Sequence, residues 1–225
     1  MGVVAQPFEY YIVLDFEATC DRPAPVPQEI IEFPSVLLSG ETFEVVDEFR
    51  SFVRPTHHPQ LSPFCVELTG ITQEQVDPAE PFETVWADHV AWLRSNNLRV
   101  ASDDDGAEFS FILCGDWDLR KMLPAQCRAC RRPIESIPHA YRQWINIKKH
   151  FAASLGIQSR KAPGMAGMLR RLDIELTGRH HSGIDDCRNI AKIVRRLAEE
   201  GVVLSTTTEL AVSDSASGFG PTDAH

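Results

Sequence analysis

Tyr10-Tyr11-Ile12-Val13-Leu14-Asp15-Phe16-Glu17 is the stretch on which the fold turns. Its first five residues are aromatic, β-branched or aliphatic, and such a run reads as a buried strand. Two acids close it. Side chains alternate along a strand, so Asp15 and Glu17 share a face, one side-chain row apart. Adjacent carboxylates in apolar company repel each other unless protons or a cation compensate, and a divalent metal is the usual answer. Taken alone, the pair reads more readily as a solvated strand end.

Outward from this strand, Cys20 to Gln28 holds Pro23, Pro25 and Pro27 and must be loop. Glu29 to Ser39 reads as a second strand, in which Pro34 suggests an edge or a bulge. Thr42 to Arg54 alternates as a third, with Gly40 in the turn between them. Phe64 to Val76 and Phe82 to Asn96 read as helices, the second placing Val85, Trp86, His89, Trp92 and Leu93 near one face. Ser102 to Gly106 is an acidic turn, with Asp103, Asp104 and Asp105 read as solvated loop. Phe109 to Cys114 is the next strand. Asp118 to Leu123 begins a helix that Pro124 ends. Gln143 to Leu155 and Gly164 to Leu172 read as helices, and Asp186 to Glu200 is the most regular, with Ile190, Ile193, Val194 and Leu197 on one side and a Gly201 stop. From Ser205 onward the chain is Ser, Thr, Gly and acid with few large apolar residues, which predicts a disordered tail. The expectation is an α/β domain with a mixed sheet over residues 1–204 and a tail over 205–225.

The chain has 225 residues, 43% of them hydrophobic, enough for one large domain with a real core. No apolar run approaches the ~18 residues of a membrane span. The first residues show neither a basic region nor a long apolar one, so no secretory signal is expected. Gln6 stands where a myristoylation signal has Ser or Thr. Six cysteines are too few for a disulfide scaffold and read as reduced thiols, which gives an intracellular expectation, cytoplasmic or nuclear. Net charge is −10, yet residues 119–171 carry 12 basic side chains against Glu135 alone, while residues 1–118 carry 5 against 22 acids. Phosphates need a local positive field rather than a basic average, so this asymmetry suits a polyanion docking on one face. Basic residues scattered over several solvated helices would give the same counts.

Two further clusters carry chemistry. Asp116-Trp117-Asp118 follows the strand Phe109 to Cys114, and ligands of open α/β sheets gather at the carboxyl ends of strands. One of these acids could equally cap a helix. His180-His181-Ser182-Gly183-Ile184-Asp185-Asp186 precedes the best helix. It reads either as a cap with an incidental His or as a base held beside a metal ligand.

Taken together, an acid pair ending one strand, an acid after a second and His-x4-Asp before a C-terminal helix resemble the DEDD exonuclease superfamily, in its histidine-bearing branch, built on an RNase H-like fold. The words Asp15-Phe16-Glu17-Ala18-Thr19-Cys20, Glu29-Ile30-Ile31-Glu32-Phe33-Pro34, Leu68-Thr69-Gly70-Ile71-Thr72, Trp144-Ile145-Asn146 and Gly183-Ile184-Asp185-Asp186-Cys187-Arg188-Asn189-Ile190 look like the Eri/Snipper group of 3′-to-5′ exonucleases. The resemblance spans residues 9 to 200.

The resemblance implies a mixed central sheet flanked by helices and two divalent ions, normally Mg²⁺ with Mn²⁺ as a substitute, held by Asp15, Glu17, Asp118 and Asp186. Asp15 would bridge both ions, Glu17 and Asp186 would complete one site, and Asp118 would serve the second. His181 would be the general base. The family's second motif places its acid directly after an aromatic residue, which selects Asp118 over Asp116; its third spaces His and Asp by four residues, which pairs His181 with Asp186. Phe64 and Trp117 would sandwich the terminal base, since aromatic stacking tolerates any base; for Phe64, core packing is a close competitor. The backbone of Phe16, Ala18 and Thr19 would line the sugar pocket, and Lys148 and Lys149, with Arg160 and Lys161, would meet upstream phosphates.

The implied partner is the 3′ end of RNA, with DNA as the alternative and a catalytically dead binding or scaffold domain as a third reading. Longer members of the group carry a SAP nucleic-acid-binding domain, which the residues ahead of Tyr10 are too few to hold. Cys127-x2-Cys130 is half of a zinc pattern, but neither a second such pair nor more than His139 exists to complete it. Ordinary thiols are expected there.

Overall fold

The computed structural model describes residues 4–101 and 105–210; Asp103 and Asp104 of the acidic turn lie outside the described residues. Seven strands form one mixed sheet: β1 (Tyr10–Leu14), β2 (Glu17–Ala18), β3 (Ile30–Ser39), β4 (Val45–Phe52), β5 (Phe109–Leu113), β6 (Gln143–Asn146) and β7 (Thr208–Glu209). Their order is β2-β3-β1-β5-β6-β7, with β4 also on β3. β1 runs parallel to β5, and β5 to β6, while β3 is antiparallel to β1, β2 and β4. The helices are α1 (Pro63–Thr69), α2 (Gln73–Val76), α3 (Phe82–Ser95), α4 (Leu123–Ala129), α5 (Ile147–Ser154), α6 (Met165–Arg171) and α7 (Gly183–Glu199).

The opening strand explains the layering. Tyr11 and Val13 point into one core with residues of α5, α6 and α7, and Ile12 and Leu14 into another with α3 and α4. Covered on both faces, β1 has no place for a polar residue until it leaves the sheet at Asp15. Each face is sealed by helices, so the strand ends are where water and ligands reach the molecule.

Several expected elements fall differently, each for a local reason. Pro34 is neither on an edge nor at a bulge: it sits inside β3 opposite Arg50. β1 stops one residue short of it, at Leu14 opposite Ser35, and β2 begins at Glu17 opposite Glu32. The proline therefore faces the gap between them, where no ladder bond is required of it. The expected helix over 64–76 is two, because Gly70 (φ 75°) caps α1 and Thr72 starts α2 with a capping box to Gln75. Pro124 does not end a helix. Asp118–Met122 is a single π turn whose Leu123 N–H bonds back to Asp118, and Pro124 lies in the first turn of α4, where no amide hydrogen is needed.

The expected helix from Gln143 is strand β6 followed by α5, with Asn146 accepting from the Lys148 amide as N-cap. Trp144 and Ile145 enter opposite cores, as a strand requires. Thr208 and Glu209, expected in the tail, form β7 against β6. Thr208 pairs with Trp144, the Thr207 hydroxyl accepts from the Asn146 amide at 2.7 Å, and Lys149 Nζ donates to Thr207 O and Thr208 Oγ1. Residues 211–225 lie outside the described residues.

Candidate active site

The gap between β1 and β2 is where the acids converge. Asp15 follows β1 and Glu17 opens β2 there, and α7 brings Asp186 against them. One carboxylate oxygen from each of Asp15, Glu17 and Asp186 lies within 4.8 Å of the others. Asp118 stands on the far side, its Oδ1 accepting the Phe16 amide at 2.9 Å. Glu17, Asp118 and Asp186 are buried and Asp15 is partly exposed.

The electrostatics are those of a site that lacks positive charge. Burial, then the charges of Asp118, Asp186 and Glu32, pushes Asp15 well above the carboxylate range. Burial and the same neighbourhood push Glu17 up to about 10. Burial lifts Asp118 to about 6 against the Phe16 amide, and lifts Asp186 to about 6 against the His181 amide. Asp186 Oδ1 is buried with no hydrogen-bond partner. A buried, unpaired carboxylate oxygen beside two further acids is the donor set a hard divalent cation satisfies. The residues present fit Mg²⁺.

The His181 segment is pinned on every side. His181 takes a left-handed backbone (φ 66°), and its amide donates to Asp186 Oδ2 at 2.9 Å. Asn189 both donates to Thr177 O and accepts from the Thr177 amide. Asp185 accepts from the Arg179 amide and from Arg188, and Arg179 Nη2 donates to Glu67 O at the end of α1. The His181 ring stacks on His180, centroids 4.0 Å apart. Burial first, then the charges of His180 and Arg179, holds His181 below its ordinary value, so the ring is neutral at pH 7.

The acids of each neighbouring pair are placed differently. Asp186 is in the acid cluster, whereas Asp185 is spent on the loop. Asp118 faces the cluster, whereas Asp116 Oδ1 accepts from Trp144 Nε1 at 2.8 Å and Thr208 Oγ1 at 3.1 Å. Those bonds and Lys149 outweigh burial and lower Asp116.

The expected substrate residues divide. Trp117 is 39% exposed immediately before Asp118. Phe64 is half-exposed on α1 with the Arg22 guanidinium 4.9 Å above its ring, which is not core packing. The Phe16 side chain is core, edge-on to Phe33 at 4.7 Å. Ala18 is buried in β2, and Thr19 binds Glu29 through its amide and hydroxyl. Lys148 is half-exposed. Lys149 is committed to β7 and does not stand free for phosphate, a correction to its expected role. Arg160 and Lys161 are exposed on a short 3₁₀ turn.

Glu32 was missed by sequence reasoning. It is fully buried, accepts from Arg50 Nε at 2.7 Å and from the Gly183 amide at 3.0 Å, and so ties the start of α7 to β3. Its signal was available: a single acid inside the apolar run Ile30-Ile31-Glu32-Phe33.

An exonuclease family model (RNase_T) matches residues 12–194. The chain belongs to the exonuclease family. ERI1 exoribonuclease 3 of Bos taurus is 42% identical over 209 residues, covering 93% of this chain and 59% of that protein; the Homo sapiens protein of that name is 42% identical over 204 residues, covering 91% and 58%. The chain thus spans about three-fifths of the length of these curated relatives. The nuclease domain of 3′hExo, a DEDDh family member solved bound to rAMP, superposes with TM-score 0.84 at 35% identity, covering 92% of this chain and 100% of that one. A 3′-exonuclease from a structure of 3′-end-specific recognition of histone mRNA stem-loop gives 0.84 at 33%, covering 98% and 76%. The mixed sheet flanked by helices is accordingly the RNase H-like fold of DEDDh nuclease domains. Among the described residues of this exonuclease domain, no helix is long and apolar enough to cross a membrane.

Proposed function

We propose that the chain is a metal-dependent 3′-to-5′ exoribonuclease that releases nucleoside 5′-monophosphates. The observation that carries this reading is a carboxylate oxygen from each of Asp15, Glu17 and Asp186 within 4.8 Å of the others, with Asp186 Oδ1 buried and unpaired and a neutral His181 held beside it. Asp15, Glu17, Asp118 and Asp186 are the residues that would hold the metal. When bound, two divalent ions stabilise the attacking and leaving oxygens of an in-line displacement at phosphorus.

The chain's own residues supply the rest. His181 keeps its ring unprotonated through burial and the neighbouring charges, and none of its ring nitrogens is engaged by a protein hydrogen bond among the described residues. The imidazole is therefore free to accept the proton of an attacking water. The Asp186 carboxylate, by accepting the His181 amide, fixes the backbone that carries the base relative to the metal ligands. Glu32 holds the first turn of α7 in place through the Gly183 amide. Trp117 offers an exposed ring to a terminal base, Phe64 would stack on it in place of the Arg22 guanidinium that lies over its ring, and backbone from Phe16 to Thr19 would line the sugar pocket. Lys148, Arg160 and Lys161 are the cations available to upstream phosphates.

Likeness to proteins named exoribonucleases and to a nuclease domain holding rAMP supports RNA as the substrate. Six free cysteines support a reducing compartment, cytoplasm or nucleus. The test is a time course on 5′-labelled single-stranded RNA and matched DNA, with Mg²⁺ or EDTA, for wild type and Asp15→Ala. A Mg²⁺-dependent ladder shortening from the 3′ end of RNA, lost in the variant, supports the assignment. Faster shortening of DNA moves the substrate, and no shortening of either polymer by folded protein overturns the activity.

A further inference from the structure

Cys20 and Cys65 are far apart in sequence and adjacent in space. Cys20 follows β2 and is partly exposed; Cys65 is buried in the first turn of α1. Each thiol acts on the other's acidity, Cys20 pushed far up and Cys65 down, and Cys65 Sγ reaches Ala18 O at 3.8 Å. One side chain holds the two backbones together: Ser62 Oγ donates to Cys20 O at 2.8 Å and accepts from the Cys65 amide at 3.0 Å. Cys20 packs on the small cluster of Ile31, Cys65, Ile71 and Val76, so both sulfurs lie at one seam between β2 and α1. The remaining cysteines lack this arrangement. Cys114, Cys127 and Cys187 are each pushed up by burial, and Cys130 accepts from Gln126 Nε2.

We propose that Cys20 and Cys65 form a reversible disulfide site that reacts with low-molecular-weight disulfides such as glutathione disulfide. The exposed member meets the reagent and the buried member resolves it. The Cys20 thiolate attacks one sulfur of glutathione disulfide, forming a mixed disulfide and expelling one glutathione thiolate. The Cys65 thiolate then attacks the Cys20 sulfur, closing the protein disulfide and expelling the second. Two thiol protons leave with the two glutathiones, so two protein thiols are oxidised and one glutathione disulfide is reduced. In the reduced pair Cys20 is pushed up, first by Cys65 and then by burial, while Cys65 is held down to about 7; reaction at Cys20 removes its thiol hydrogen, so the second attack rests on the closeness that Ser62 imposes on the two backbones. Reduction by excess glutathione reverses both steps.

The bond would have a consequence at the active site, which rests on the exonuclease reading above. Phe64 is next to Cys65, and Ala18 and Glu17 precede Cys20. Closing the disulfide fastens the Phe64-bearing turn to the strand carrying Glu17, in a pocket that must admit a new terminal base at each cycle. Oxidised protein is expected to degrade RNA several-fold more slowly than reduced protein, with recovery on adding dithiothreitol.

The full chain is equilibrated in buffers of varied glutathione to glutathione disulfide ratio, alkylated, and its tryptic peptides are analysed by mass spectrometry, with RNA degradation measured on the same samples. The expected result is loss of two alkylatable thiols of the six, recovered as a Cys20–Cys65 cross-linked peptide. Cys20→Ser is expected to lose the cross-link and to keep its rate unchanged by glutathione disulfide; Cys65→Ala serves as the second variant, stopping at the Cys20–glutathione adduct. A wild-type protein that accumulates that adduct while Cys65 stays alkylatable, or that closes Cys127–Cys130 first, overturns the site. Cross-linking with an undiminished rate overturns the consequence only. A reduced protein that degrades neither polymer overturns the exonuclease reading while the peptide map still decides the disulfide.

Discussion

Glu17→Gln should make the metal-free protein more stable while removing its response to Mg²⁺. The oxygens of Asp15, Glu17 and Asp186 lie within 4.8 Å of one another. At an effective dielectric of about 20, two unit charges at that distance repel by about 3 kcal/mol, and Glu17 faces two such neighbours. Burial first, and then these neighbouring charges, keep the proton on the carboxyl, which is why it sits at about 10. The unfolded chain releases that proton at the ordinary value of 4.5. At pH 8 the folded state therefore holds a proton it would otherwise have lost over about 3.5 pH units, at about 1.4 kcal/mol each, a ceiling of about 5 kcal/mol.

The sign follows from the proton count. Between 4.5 and 10 the folded state binds more protons than the unfolded, so this group's contribution is fully present below pH 4.5 and is lost as pH rises through that window. Glutamine is neutral in both states and escapes the penalty, though it must satisfy a buried amide. The expected net gain for Glu17→Gln in EDTA is about 2–4 kcal/mol at pH 8 and under about 1 kcal/mol at pH 5. Urea denaturation in EDTA at these two pH values, repeated with Mg²⁺, measures all of it. Wild type should gain stability on adding Mg²⁺, most at pH 8, and the variant should gain little. A variant less stable than wild type at pH 8 in EDTA, or with the same pH slope, would refute the account of the cluster.

Asp118→Asn should cost more than about 10²-fold in RNA degradation, because several kcal/mol of transition-state stabilisation depend on the metal site; Asp116→Asn, whose oxygen can still accept from Trp144 and Thr208, should stay close to wild type in the same assay. Gly183→Ala would put a Cβ 2.8 Å from Asp15 O and from Pro34 Cγ, an overpacking cost of about 1–3 kcal/mol, read as a Tm fall of several degrees together with lost activity. His181→Ala should lose about 10²–10⁴-fold in rate while keeping its thermal response to Mg²⁺. With the His181 value depressed, the acid limb of wild-type kcat/KM should lie below pH 6.5 and be missing from the variant. Lys149→Met should lower Tm through loss of the contacts to Thr207 and Thr208, with KM for RNA unchanged; a raised KM at constant Tm would return this lysine to the phosphate path.

What could be read from the sequence was what depends on near neighbours. Tyr10 to Leu14 is apolar at every position, so it had to be a strand covered on both faces, and alternation alone put Asp15 and Glu17 on one side of its end. The regular apolar face of α7 was equally local. Gln143 to Leu155 was misread because a short apolar run satisfies both periods, and only pairing with β5 makes its first residues a strand. Pro124 was misread because a π turn upstream removes the penalty that a proline normally imposes.

The site itself was decided at longer range. Glu32 and Gly183 meet across 151 positions, and Phe16 and Asp118 across 102; no window of sequence contains either pair. Asp116 and Asp118 are told apart in space by the bonds that Trp144 and Thr208 make to the first. Whether Lys149 is free for phosphate is settled by a strand near the other end of the chain. The local sequence determined which backbone each acid stands on, because propensity and alternation act over a few residues. The tertiary structure alone decided which acids share a charge, because Coulomb repulsion and burial depend on distance through space and not along the chain.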